Sequence, residues 1–420
     1  MPGATIAQKV LARAAGLSHV EVGQIVDAQV DRVMSHENGA LVAQKFRELG
    51  AGHVWDVTKM VQLFDHRVPA DTEQTAAGHK AVRQFVKEQG LVHFYGERGG
   101  ICHQVMPEKG HVRPGELIVG TDSHTTTYGA FGAVSAGIGA TEMAGVWATG
   151  GLWLMVPPTI RISVEGTFQP HVYAKDLILS IIGRLGLDGA DYRSVEFDGP
   201  LISSLSVASR MTICNQAMEM GAKFGIIPAD DTTLSWLRPR TDAALQPVHS
   251  DADATFERHL RIDVSDLSPQ VAKPHSPANV APLEQVLGVH VDQAFLGSCT
   301  NARLEDLQIA AALLKGRKVA AGTRLIVTPA SWEVYRDAAA AGYLGIFTDS
   351  GAVITNPGCG ACIGGVSGIL SAGEVCISSS NRNFRGRMGS ADAQVYLSSP
   401  AVVAASAIAG VVADPREVAP

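Results

Sequence analysis

Residues 356–365 read NPGCGACIGG, and residues 297–301 read GSCTN. The two stretches bring in three cysteines, Cys299, Cys359 and Cys362. Each follows an apolar, strand-like run, residues 291–296 before the first and 351–355 before the second. After the first stretch, Leu304, Leu307, Ala311 and Leu314 recur at helical spacing, with Gly316 as a stop. Cys299 is therefore expected just ahead of a helix N-terminus, where backbone N–H groups favour a thiolate. Pro357 and the glycines at 358, 360, 364 and 365 let the second loop turn tightly with little side-chain bulk. Such a loop can close its backbone and two sulfurs on something compact.

The number of sulfurs narrows what that is. A structural zinc takes four nitrogen or sulfur ligands, and an electron-carrying iron–sulfur cluster normally takes four cysteines. Three thiolates on a cluster leave one iron with an open position, which suits a Lewis acid for substrate oxygen. Taken alone, CxxC reads equally as a redox pair or as two small loop residues. The glycine-rich setting and the partner loop favour the cluster.

Outward from these loops, the chain of 420 residues is long enough for about three domains. Its 46% hydrophobic content and 44 glycines fit a loop-rich α/β protein better than a helical bundle. A net charge of −7 argues against nucleic acid and against an anionic membrane surface, so an anionic substrate has to be met by locally placed arginines. Residues 1–16 read as an amphipathic helix carrying Lys9 and Arg13, without the apolar core of a signal peptide. The apolar runs 145–156 and 401–413 are too short to span a bilayer and read as buried helices. Six cysteines without a secretory signal indicate a reducing compartment, the cytoplasm. No internal repeat is evident.

Strands are expected over 26–33 and over 61–64, the latter ending at Asp65 and His66, where α/β folds bind ligands. A strand over 91–95 leads into GERGGICHQ, a glycine-rich turn that presents His103, and one over 117–120 leads into Asp122, Ser123 and His124. Neighbouring Asp, Ser and His do not make a hydrolytic triad, whose members are rarely adjacent, and alone they read as a capped turn. Residues 211–223 look helical and carry Asn215 and Glu219 four apart on one face, where such a pair is ordinarily solvated or mutually bonded. Prolines 269, 274, 277 and 282 mark residues 268–282 as an extended connector with little regular structure. Cys102, Cys214 and Cys376 read as small core residues.

GSCTN, PGCGACIGG and SSNRNFRGRMG (379–389) resemble, in order, the three signatures of the aconitase superfamily. The chain is most like the large subunits of 3-isopropylmalate dehydratase and homoaconitase, and the likeness extends upstream through GERGGICHQ and GTDSHTTTYGAFGA (120–133). Residues 36–40, HENGA, depart from the family's Thr/Ser/Pro-rich loop, and Ala302 and Ala361 fill positions often held by glycine, serine or proline. The resemblance implies three α/β/α domains, 1–158, 159–275 and 276–420, around a central cluster cleft. It further implies a [4Fe–4S] cluster on Cys299, Cys359 and Cys362. The same match makes His66, with Asp65 and Asp122, the acid–base centre, with His103, His124 and Glu219 as partners. Ser123, Arg382 and Arg387 would bind substrate, and Asn215 and Asn381 would stand beside the cluster. Arg385 has no family role and is expected at the surface.

The implied activity is that of a hydro-lyase in leucine biosynthesis that moves a hydroxyl between adjacent carbons of 2- and 3-isopropylmalate. Homoaconitase, 2,3-dimethylmalate dehydratase and other alkylmalate isomerases are the alternatives within that class. A cluster-dependent RNA-binding regulator is the competing class, and the acidic balance speaks against it. The swivelling fourth domain of single-chain aconitases is not expected here. A separate small subunit, of about one domain's length, should supply it together with the base that removes the carbon-bound proton.

Overall fold

Short runs of valine, isoleucine and leucine, ended by glycine or by polar residues, build two parallel sheets and a third that is mostly parallel. In the computed structural model, which describes residues 3–418, the first sheet has the order His93–Tyr95, Met60–Leu63, Arg32–Ser35, Leu117–Gly120, Val134–Gly137, all parallel. Val33, Met60 and Val119 enter one hydrophobic cluster, while Met34, Val61 and Ile118 enter another. The sheet is thus covered on both faces, as parallel sheets require. The second sheet orders Phe224–Ile226, Ser194–Asp198, Thr159–Glu165 and Arg258–Asp263, again all parallel. The third has seven strands, with the parallel order Gln394–Leu397, Val375–Ser378, Gln293–Leu296, Arg324–Val327, Val353–Ile354 extended by two antiparallel strands.

The helices follow their local signals. Glu73–Gln89 starts where Thr72 accepts the N–H of Thr75 and stops where Gly90 turns left-handed at φ 68°. Ser206 caps Val207–Gln216 in the same way. The expected helix after GSCTN runs Leu304–Leu314. The N-terminal helix runs Ile6–Ala14; Met1 and Pro2, where the expected helix begins, lie outside the described residues.

Several expectations are corrected. The strand expected over 26–33 is two strands in different sheets, Ile25–Gln29 and Arg32–Ser35. They part at Asp31, whose carboxylate accepts the N–H of Leu117 at 2.7 Å and pairs with Arg13. The apolar run 145–156 is not one helix. Ala140–Thr149 ends at left-handed Gly150, and Gly151–Met155 is a strand antiparallel to Ile25–Gln29. The run 211–223 leaves the α-helix at Gln216, continues as a 3-10 turn over Ala217–Met220 and stops at left-handed Gly221. The proline-rich connector carries an antiparallel pair, Gln270–Ala272 with Val280–Pro282, that joins the third sheet. Its prolines fall outside the ladder's interior or at its end, where a missing N–H costs nothing. The run 401–413 forms a buried helix, Pro400–Ala409, only as far as left-handed Gly410.

The first two sheets meet along the 3-10 segment Ser123–Phe131. Its Gly129 carbonyl accepts the N–H of Ile227 at 2.9 Å, and a Cβ added at Gly129 would run into the Gly225 carbonyl oxygen. Only glycine allows this approach. Gly129→Ala should force the two backbones apart and destabilise the protein by about 1–3 kcal/mol, the usual scale for overpacking. Thermal denaturation checks this, and a Tm equal to wild type contradicts it.

Candidate functional site

The polar residues singled out in the sequence gather where the strands of the first and third sheets end. Asp65 and His66 follow Met60–Leu63, Asp122 to His124 follow Leu117–Gly120, Cys299 follows Gln293–Leu296, and Asn381 and Arg382 follow Val375–Ser378. This is the crevice beyond the carboxyl ends of parallel strands, the usual ligand position in α/β folds. A cavity of about 20 Å³ there is lined by all three loop cysteines, by Asp65, His66, His103, Asp122 and His124, and by Asn381 and Arg387. A larger cleft of about 450 Å³ shares only Ser123 with the expected set and lacks converging acids and histidines.

Acids and imidazoles alternate along one side of the cavity. Asp65, 1% exposed, has Oδ1 2.6 Å from His66 Nδ1, while its Oδ2 accepts the N–H of Cys102 at 2.8 Å. His66 Nε2 lies 3.5 Å from Asp122 Oδ2, and His103 Nε2 lies 2.9 Å from Asp122 Oδ1. His103, in the first turn of Cys102–Glu108, meets the Tyr128 hydroxyl with its Nδ1 at 3.2 Å. His124 Nε2 sits 2.8 Å from Glu219 Oε1, which also accepts from Arg382 Nε at 2.7 Å. Ser123 Oγ lies 3.5 Å from His124 Nδ1.

Burial and charge oppose one another here, and charge decides most outcomes. Burial works against ionising Asp65, but the His66 imidazolium outweighs it and holds the carboxyl below its ordinary range. Burial likewise opposes Asp122 and Glu219. The histidines around Asp122, and His124 with Arg382 beside Glu219, keep both carboxyls low. His66 is disfavoured as a cation by burial, yet Cys359, Asp65 and Asp122 raise it well above its usual value. His103 goes the other way, because its burial prevails over Asp122.

The cysteines complete the cavity from the other side. Cys299, Cys359 and Cys362 are buried and carry free thiols. The Cys359 N–H donates to the Asp65 carbonyl at 2.8 Å, and Gly358 lets the chain pass so close that a Cβ there would lie 2.8 Å from the same oxygen. Asn215 Nδ2 and Asn381 Nδ2 both donate to Cys299 Sγ, at 3.2 and 3.3 Å. Asn215 and Glu219 are thus neither solvated nor bonded to each other. The expectation that a helix N-terminus activates Cys299 is corrected. The helix cap is Arg303, whose N–H is already taken by Asp306 at 2.9 Å, and burial pushes the Cys299 thiol up to about 12. Arg387 Nη2 lies 3.9 Å from Cys362 Sγ, and its Nε is buried without a partner among the described residues. Arg385 is exposed, as expected. Cys102, Cys214 and Cys376 are core residues as expected, and Cys102 also lines the cavity.

A further residue holds the acid–base loop in place. Glu37 Oε1 accepts three successive backbone N–H groups, from Asp65 at 2.9 Å, His66 at 2.8 Å and Arg67 at 3.0 Å. Its neighbour His36 stacks on His66 with ring centroids 4.2 Å apart. The signal was present, since His36 and Glu37 also follow a strand end, but in sequence the pair looks like any polar loop opening. His36, Glu37, Asp65 and His66 bring ligand-type atoms within 4.8 Å of one another, a set able to hold a cation. Oε1 of Glu37 is nonetheless already committed to three N–H groups. Glu37→Ala would strand those donors and should cost roughly 1–3 kcal/mol in urea denaturation, while Glu37→Gln, which keeps a carbonyl oxygen, should recover most of it. Wild-type stability of Glu37→Ala contradicts the assignment.

A family model described as "Aconitase family (aconitate hydratase)" matches residues 8–288 and 284–410. The chain is 51% identical to 3-isopropylmalate dehydratase large subunit 1 of Methanopyrus kandleri over 415 residues, 99% of each chain. It is 46% identical to the 3-isopropylmalate dehydratase large subunit of Desulfitobacterium hafniense over 417 residues, again 99% of each. It is also 51% identical, over 98% of this chain and 97% of the other, to a probable methanogen homoaconitase large subunit of Methanothermobacter thermautotrophicus.

Proposed function

This chain belongs to the aconitase family, and we propose that it is the large subunit of a 3-isopropylmalate dehydratase, interconverting 2- and 3-isopropylmalate by loss and return of water. The family implies an iron–sulfur cluster. Three buried free thiols around one cavity, with Asn215 and Asn381 donating N–H groups to Cys299 Sγ, fit such a group. In this reading Cys299, Cys359 and Cys362 hold a [4Fe–4S] cluster. When bound, it supplies at its one cysteine-free iron a Lewis acid for a substrate oxygen.

The chain's own residues account for the rest of the large subunit's part. His66, kept protonated by Asp65, Asp122 and Cys359, carries the proton that a departing hydroxyl needs. His103, with Asp122 and Tyr128, and His124, with Glu219, hold that acid's surroundings fixed and satisfied. Arg387 and Arg382 receive substrate carboxylate, and Ser123 assists. The observation that carries this is the orphaned Nε of Arg387, a residue that lines the cysteine cavity, buried and without a partner among the described residues. Arg382 spends only its Nε on Glu219.

Relatives named large subunits support a separate small subunit that closes the cavity and brings the base opposite His66. The sheets support three domains, with the second boundary near residue 268, since Gln270–Ala272 pairs into the third sheet. Among the described residues no helix is long and apolar enough to cross a membrane. Six unpaired cysteines suit the reducing cytoplasm, where we place the protein.

The test is an anaerobic assay of the iron-loaded chain with 3-isopropylmalate, with and without a small subunit co-expressed. Turnover only with both subunits is expected. Full turnover by this chain alone, or turnover of homocitrate-type substrates in preference to 3-isopropylmalate, overturns the reading. Arg382→Lys and Arg387→Lys should each lower kcat/KM roughly 30- to 150-fold, about 2–3 kcal/mol, with iron content unchanged, because lysine keeps the charge and loses the planar fork. Near wild-type kinetics in both would place the carboxylate elsewhere.

A further inference from the structure

Behind the cysteine cavity lies a buried cation that no carboxylate neutralises. Lys175, second residue of the helix Ala174–Leu185, is 0% exposed. Its Nζ donates to the carbonyl oxygens of Ser380 at 2.7 Å and Ser379 at 3.1 Å, and among the described residues it forms no salt bridge. The nearby acids are engaged elsewhere. Asp176 gives its two oxygens to the backbone N–H groups of Tyr173 and Gln270, at 2.9 and 2.8 Å, and burial pushes its carboxyl up to about 7. Asp306 accepts from the Arg303 N–H and from Asn301 Nδ2, each at 2.9 Å.

A buried ammonium that meets only neutral carbonyls is a costly group to keep. Burial pushes Lys175 down to about 7, and foremost among the groups opposing that fall is Cys362, with Asp306 and Cys299 behind it. The two carbonyls that Lys175 grips belong to the residues just before Asn381, the donor to Cys299 Sγ, and Arg382. The cation therefore stands at the back of the cysteine set and on the loop that carries the cavity's amide and guanidinium groups. A cluster held by three thiolates carries about one net negative charge, which is the charge that the surroundings of Lys175 lack.

We propose that Lys175 is the counter-cation of the iron–sulfur cluster, disfavoured in the empty protein and favoured once the cluster is bound. The inference rests on the cluster assignment made above. It assigns a purpose to a charge that the acid–base chemistry does not use, and it couples cluster loading to the Ser379–Ser380 backbone. Removing the charge should make the cluster harder to reduce and easier to lose, without weakening the empty protein.

Lys175→Gln keeps an N–H donor for the carbonyls and drops the charge, and Lys175→Met drops both. Each is reconstituted anaerobically beside wild type. Iron and sulfide are counted, the midpoint potential is measured by redox titration followed by electron paramagnetic resonance, cluster loss to a chelator is timed, and the melting of empty and loaded forms is compared. The expected result is a loaded cluster whose potential moves to more negative values in both variants. It should be lost several-fold faster, and the empty Lys175→Gln protein should melt no lower than wild type. An unchanged potential in loaded Lys175→Gln overturns the proposal. So does an empty form weakened as much as the loaded one, or failure of both variants to fold when empty, since Lys175 would then only tie down two carbonyls. Wild type that binds no iron is a different failure, and it removes the cluster assignment together with this inference.

Discussion

Asp65 is the point on which the cavity depends. Its side chain is almost wholly buried, yet it stays ionised, because His66 lies against one oxygen and the Cys102 N–H fills the other. Its backbone carbonyl receives the Cys359 N–H. One residue thus joins the acid–base loop of the first sheet, the turn that carries His103, and the cysteine loop of the third sheet. A buried carboxylate left without these partners would be severely penalised. The three segments are therefore held to their positions by the same electrostatics that keep His66 charged.

That arrangement also explains how so many ionisable groups share a buried site. Asp65, Asp122 and Glu219 each face an imidazole or a guanidinium, and no two of these carboxylates are direct neighbours. The alternation lets burial strengthen each pair and not simply expel its charge. Glu37 extends the scheme to the backbone by collecting three N–H groups of the acid loop on one oxygen. Lys175 is a buried cation near the cavity that this pairing leaves out. Its surplus charge points to an anion held by the cysteines.

What the sequence disclosed and what it hid divide along a physical line. The cysteine loops and the Asp-Ser-His turn were legible because each is a short local motif at the end of an apolar run, and strand ends fix where such residues go. Strand and helix cores with clear periodicity, such as Leu117–Gly120 and Leu304–Leu314, were legible for the same reason. Gly150 hides in a run whose apolar character is continuous, and Asp31 in one where polar residues already alternate with apolar ones. The chain changes direction there through one side-chain hydrogen bond or one left-handed residue, which leaves little trace in a hydrophobicity pattern. Glu37 and Lys175 were missed because their partners lie on other elements. Lys175 meets Ser379 and Ser380 only after its helix has packed against the loop that follows Val375–Ser378, and nothing in its own helix marks it.

The central claim is that three cysteines of this chain hold a cluster with one iron left free for substrate. Mössbauer spectroscopy of protein reconstituted with the 57Fe isotope reads this directly, because each iron reports its own ligands. The account predicts that one iron in four differs from the rest and that only its signal shifts when 3-isopropylmalate is added beside the small subunit. Four equivalent irons that ignore the substrate would contradict it.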